Sequence, residues 1–223
     1  GQPLPIVLCD TELPNDGRME IDITVREQVI FGGQPPFGAV ITYHRSLQEA
    51  QNGWNNILNP KQFYNTQNPQ TVYASVLNQN GCRSVVSLTV RVLPLPEPNM
   101  TPTPLELCED EFGSGEAIFD LTTAESNLSN FANYNYSYYF SFNDAITGDD
   151  ATKIADPRVV LTGTSTVYVR VTNSFSDSDL QCAVVVPLEL IVNPWPSVGP
   201  MTPLVACMDT PAETTTFNLH DKD

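Results

Sequence analysis

Positive charge is scarce in this chain: ten Lys and Arg stand against 26 Asp and Glu, a formal charge of −16 over 223 residues. Phosphate backbones and anionic membrane surfaces would repel it, which argues against nucleic acid as a partner. Histidine is nearly absent, with only His44 and His220. A Ser-His-Asp or Cys-His arrangement therefore has little to draw on, and Ser114 between Gly113 and Gly115 lacks the full G-x-S-x-G pattern of a nucleophile elbow. No pair of carboxylates stands out as a glycosidase couple, so no enzyme activity is expected. No apolar run approaches the ~20 residues that cross a bilayer, and no membrane insertion is expected. There is no C-x-x-C pair with a nearby His to hold zinc. The start, Gly1-Gln2-Pro3-Leu4-Pro5, has neither the charged opening nor the apolar run of a secretory signal, so any export signal is expected to have been removed or to lie upstream.

What the chain does have is internal repetition. Cys9, Cys108 and Cys207 stand 99 residues apart, each four positions after a proline (Pro5, Pro104, Pro203). Cys82 and Cys182 repeat at a spacing of 100. The triplet Ile21-Asp22-Ile23 returns as Phe119-Asp120-Leu121 and as Phe217-Asn218-Leu219, and Thr71-Val72-Tyr73 returns as Thr166-Val167-Tyr168. Such self-similarity marks tandem units. The Pro-rich stretches Leu93-Pro94-Leu95-Pro96 and Asn193-Pro194-Trp195-Pro196 read as semi-rigid linkers. These set the expected domains at 1–98, 99–198 and, as the start of a truncated third repeat, 199–223.

Within a unit the apolar residues follow period two, as in Val86, Leu88, Val90 and Val92 and their counterparts Val186, Leu188, Leu190 and Val192. Pro187 predicts an edge position for the second of these strands, because proline cannot donate to a ladder. Two short helical pieces per unit are expected. One starts with capping-box spacing at Thr24/Glu27 and Thr122/Glu125; the other is a single turn before Gly53 and before Gly148. The predicted fold class is all-β: tandem immunoglobulin-like β-sandwich repeats of about 99 residues, strung like beads.

The repeat also gives a cysteine pairing. Cys9–Cys82 and Cys108–Cys182 would each close one unit, leaving Cys207 unpaired within these residues. Disulfides imply an oxidising, extracellular setting; the alternative is five reduced, buried thiols in a cytosolic protein.

Each first cysteine is followed by an acidic loop. Asp10, Glu12 and Asp16 in the first unit and Glu109, Asp110 and Glu111 in the second, joined by Asp22 and Asp120, are candidate calcium ligands, since crowded carboxylates are relieved by a hard cation. The alternative is a solvated acidic turn, with Asp22 and Asp120 supporting a helix start. No other cofactor is indicated. The stripe Tyr134, Tyr136, Tyr138, Phe140 and Phe142 reads as core rather than a sugar platform, with Tyr139 on the opposite face as a surface candidate. Trp195 is placed in a linker, where it would pack between neighbouring units.

The run of Cys and acidic loop, Phe119-Asp120-Leu121-Thr122, Tyr43-His44-Arg45-Ser46 with Ala50 and Gly53, Asn68-Pro69-Gln70-Thr71-Val72-Tyr73, Gly81-Cys82 and Pro94-Leu95-Pro96 resembles the tandem repeats of very large cell-surface proteins of Bacteroidota. These are similar to gliding-motility adhesins and other cargo of the type IX secretion system. The resemblance implies display at the cell surface in association with the outer membrane, and a role in surface attachment or gliding. It also implies partners among neighbouring repeats, outer-membrane secretion or motility proteins, or surface polysaccharide. The expected function is that of an extended adhesin stalk. The alternatives are a glycan- or protein-binding module and an ancillary region of a large secreted hydrolase.

Overall fold

The computed structural model describes residues 1–130, 133–173 and 180–199, with positions 203 and 205. Cys207, His220 and the Phe217-Asn218-Leu219 triplet, and with them nearly all of the expected third repeat, lie outside the described residues.

The first module contains β1 (Ile6–Cys9), β2 (Glu20–Ile21), α1 (Glu27–Phe31), β3 (Val40–His44), α2 (Leu47–Asn52), β4 (Phe63–Tyr64), β5 (Gln70–Leu77) and β6 (Arg83–Leu93). The second repeats that order as β7 (Leu105–Cys108), β8 (Ala117–Phe119), α3 (Glu125–Leu128), β9 (Tyr134–Tyr139), α4 (Phe142–Thr147), β10 (Val160–Thr162), β11 (Ser165–Asn173) and β12 (Ala183–Asn193). In each, a four-stranded sheet faces a two-stranded one. The orders are β1-β6-β5-β3 against β2-β4, and β7-β12-β11-β9 against β10-β8. The first strand of each module runs parallel to the last, while the other pairs are antiparallel. This is the arrangement of an immunoglobulin-like sandwich.

Period-two patterning drives the packing. Leu88, Val90 and Val92 of β6 meet Val72 and Ala74 of β5, Tyr43 of β3 and, from the small sheet, Ile21 and Phe63. Val186, Leu188 and Leu190 of β12 meet Val167, Val169 and Val171, Tyr138, and Phe119. The two clusters share no residue, so each module has its own interior.

Local chemistry sets the helical turns, not always as the spacing predicts. The side chains of Asp22 and Asp120, rather than Thr24 and Thr122, cap the short 3₁₀ turns Ile23–Arg26 and Leu121–Ala124, accepting from the Thr24 and Thr122 N–H groups. Glu27 and Glu125 are drawn instead to the buried phenols Tyr43 and Tyr138, whose hydroxyls donate to them at 3.2 and 2.9 Å. Burial and the adjacent carboxylate push both phenols well above the ordinary tyrosine range. For α2 the single-turn reading holds: Ser46 and Glu49 form a capping box, and Gly53 ends the helix at φ 73°.

A guanidinium serves the carbonyls of α2 through a serine and those of α4 directly, and it comes from different strands in the two modules. In the first module Arg83 of β6 donates to Ser75 Oγ, which donates to the Ala50 carbonyl. In the second, Arg170 stands where Ser75 does and donates directly to the Ala145 and Ile146 carbonyls. The charge is kept in space while its sequence position moves.

Pro187 does not make β12 an edge strand, since β12 lies between β7 and β11. The proline is tolerated because β7 flanks only Leu190 to Asn193, so no second ladder runs beside Pro187. Tyr139 is buried rather than a surface candidate, and the stripe leaves the core after the strand ends, with Phe140 and Phe142 half exposed. Truncating Leu188→Ala removes a fully buried side chain from one core and should cost that module about 2–5 kcal/mol. Denaturation of the reduced protein, read by Trp195 emission in a Trp54→Phe background, should show this loss. Trp54 emission in a Trp195→Phe background should keep its midpoint; equal shifts of both would contradict separate cores.

Candidate functional site

The junction between the modules is where the chain concentrates its covalent and polar chemistry. Because β1 lies parallel to β6 in the register Cys9↔Leu93, Cys9 sits at the pole where the chain leaves the first module. Cys82 immediately precedes β6 and so lies at the opposite pole. The 11 residues of β6 separate them by about 36 Å, whereas a disulfide needs Cα atoms roughly 4.4–6.8 Å apart. The second module repeats this, with Cys108↔Asn193 at one end of β12 and Cys182 just before the other. The expected pairs Cys9–Cys82 and Cys108–Cys182 are therefore not formed. Cys9 is bonded to Cys182 across the junction, with Cα atoms 5.5 Å apart, and Cys82 and Cys108 are free and exposed.

Hydrogen bonds from the linker surround this bridge. Asn173 Nδ2 of the second module donates to the Pro94 carbonyl at 2.7 Å, and the Glu97 N–H donates to the Tyr134 hydroxyl at 2.9 Å. Asn99 N–H then donates to the Leu128 carbonyl at the end of α3, as Gly1 does to the Ile30 carbonyl in the first module. The linker is thus seated along the module that follows it.

The acidic loops hold the linkers from the other side. Asp10 is buried; its carboxylate accepts from the Gly17 and Glu12 N–H groups, folding the loop so that Asn15 pairs in both directions with the Leu95 backbone and donates to Glu97. At the equivalent place in the second module, Glu109 is buried and accepts from the Gly113, Gly115 and Trp195 N–H groups. These three donors hold its carboxyl below the usual glutamate range, Gly113 contributing most. The Trp195 indole donates to the Glu109 carbonyl, which fixes the ring on its own module; nearly all of the unit that would follow it lies outside the described residues.

This arrangement also accounts for the candidate calcium ligands. Asp22 and Asp120 cap turns, Glu12 accepts from the Glu20 N–H, Asp16 from Arg18 and Asp110 from Ile118. Glu111 joins none of the others in a cage. Among the described residues no three His, Cys, Asp or Glu side chains converge as a metal site, and backbone N–H groups supply Glu12, Asp16, Asp22, Asp110 and Asp120 with partners. His44, fully buried, is bonded to Thr42 Oγ1 and the Trp54 carbonyl, both in the first module.

The sequence reading missed the junction because a cysteine repeated every 99 or 100 residues has the same phase in every module. Spacing alone does not distinguish a partner at 73 residues from one at 173. In this sandwich the first and last strands are parallel neighbours, which places these two cysteines at opposite poles, and no local spacing reveals that pairing.

The family profile described as "Flavobacterium inter-domain disulphide bond domain" matches residues 5–96 and again 104–196. No curated protein matches the chain. Among solved structures, the Drosophila receptor protein tyrosine phosphatase DLAR Ig1-2 module is 8% identical over 86% of this chain and 96% of that one, with a TM-score of 0.24. Sidekick-1 immunoglobulin domains 1-4 are 10% identical over 70% of this chain and 43% of that one, with a TM-score of 0.21, so the match spans less than half of that protein's chain.

Non-reducing peptide mapping should recover a Cys9–Cys182 crosslink, with Cys82 and Cys108 alkylated without reductant. Recovery of Cys9–Cys82 would contradict the junction. Lowering pH should release Trp195. A folded-state carboxyl held below its unfolded value, about 4.3 for glutamate, contributes stability that is present above that value and lost as pH falls through the folded one. In a Trp54→Phe background, Trp195 emission should shift to the red below that range, and Glu109→Gln should show the shifted emission already at pH 7.

Proposed function

Because the chain belongs to the Flavobacterium inter-domain disulphide bond domain family, both of its described modules matching the profile, we propose that it is part of the stalk of a secreted cell-surface adhesin. In this reading the modules follow one another head to tail in an extended array. The array is exported by a type IX pathway, displayed at the outer membrane and used in surface attachment or gliding. It spans distance and makes contacts rather than catalysing a reaction.

The observation that carries this reading is the placement of the two free cysteines. Cys82 stands in the first module where Cys182 stands in the second, just before the last strand; Cys108 stands where Cys9 does, at the end of the first strand. Asn78 matches Asn173, and Pro194 matches Pro94. The pair of modules thus presents one half of the junction at each pole, so the same head-to-tail contact is available to a module before it and a module after it. The partners would be further modules of the same type. The strong negative charge supports solubility in neighbouring stalks and discourages them from sticking side by side.

The array is tested by oxidative coupling in a Cys207→Ser background. The protein should form linear oligomers. Adding Cys82→Ser or Cys108→Ser should each leave monomers, while a mixture of those two variants should give dimers linked Cys108 to Cys82. Symmetric dimers of either single variant, formed as readily, would contradict the head-to-tail reading. Display is tested by antibody labelling of intact cells that carry the full-length protein; labelling only after lysis would contradict it.

A further inference from the structure

Tension applied between residues 1 and 199 follows the shortest covalent route. That route runs along β1 to Cys9, across the sulfur bridge to Cys182 and out along β12 to Asn193. The bridge joins residues 173 apart in sequence. Everything from Asp10 to Gln181, which includes most of each hydrophobic core, lies on a closed loop beside the route, while Ile6 of the first core and Val186, Leu188 and Leu190 of the second lie on it. We propose that the Cys9–Cys182 bond is a load bypass: under tension it carries force from the first strand of one module to the last strand of the next, and neither sandwich has to resist unfolding.

Three features of the fold support this. First, the two strands on the route are already extended, and a strand near 3.3 Å per residue has little slack before the covalent limit of about 3.6 Å. Second, each strand on the route ends at the junction. Cys9 is the last residue of β1, and Cys182 directly precedes β12, so almost no loop is left to pay out. Third, the fold places these strands beside their own module's other terminal strand, which gives a fallback when the bond is absent. Force would then enter each sandwich at the start of its first strand and leave at the end of its last. These are parallel neighbours, in registers Ile6↔Val90 to Cys9↔Leu93 and Leu105↔Leu190 to Cys108↔Asn193. Pulling them from opposite ends loads every rung of the ladder together, in shear.

Bonds within each module would have needed two crosslinks to take both interiors off the route and would have left the linker on it. The inter-module pairing takes both interiors and the linker off the route with one bond. This mechanical role goes beyond the adhesive reading and needs no neighbouring module, so the two can fail separately.

The experiment is single-molecule stretching of the 223-residue chain with handles at residues 1 and 199, in a Cys82→Ser, Cys108→Ser, Cys207→Ser background that blocks other disulfides. Oxidised molecules should show no unfolding step of module size up to handle rupture. Adding reductant should reveal two steps, one per module, that together release about 600 Å of chain. Cys9→Ser should show the same two steps with or without reductant, and its two-step record establishes that both modules fold without the bond. Module-sized steps in the oxidised parent at the forces that unfold the reduced protein would overturn the proposal. So would a reduced protein that lengthens no further than the oxidised one.

Discussion

The parallel pairing of each module's first and last strands is the constraint from which the rest follows. It places the end of β1 beside the end of β6, and the end of β7 beside the end of β12. A cysteine closing the first strand is thereby held at the exit pole, and a cysteine opening the last strand at the entry pole. No bond within a module spans that distance, but stacking two modules brings an exit pole against an entry pole. The covalent bridge is thus a product of topology: the sandwich sets where the sulfurs sit, and succession along the chain supplies the partner.

At the exit pole of each module, negative charge is used as a building material. The loops after Cys9 and Cys108 turn their first carboxylate inward, where Asp10 and Glu109 each gather backbone N–H groups of their own loop. A carboxylate bound by several backbone donors forms charge-assisted hydrogen bonds, stronger than neutral ones. It makes the loop stiff enough to hold the departing linker, through Asn15 in the first module and through Glu109 itself in the second. The linker is then seated on the next module by Asn99 and Asn173. Proline stiffness, loop, polar contacts and disulfide all act on the same few residues, so the linker joins the modules as a braced connection rather than a free tether.

The fold was legible from sequence because its signals are local or periodic. Alternation in Val86–Val92 and Val186–Val192 needs only one face in a core, and the Ser46/Glu49 and Gly53 signals act within one turn. Asp22 and Asp120 support a helix start, as their place before each turn suggests; the Thr/Glu spacing points to the wrong cap because Glu27 and Glu125 have a tertiary partner, a tyrosine hydroxyl, that spacing does not reveal. The junction was the least legible part. Repeat arithmetic places equivalent cysteines in every unit but carries no information about which unit a partner belongs to. Only the three-dimensional placement of β1 against β6 decides it. Pro187 shows the same limit, since strand order and ladder length are properties of the assembled sheet.

A second covalent connection at the exit pole fixes one module relative to the next. Residual dipolar couplings measured on the oxidised protein and again after reduction test this most directly. The two modules should share a single alignment tensor while Cys9 and Cys182 are bonded, and their tensors should diverge in magnitude and orientation once the bond is reduced, with each module's own fold unchanged. Separate tensors in the oxidised protein, or a shared tensor that survives reduction unaltered, would contradict it.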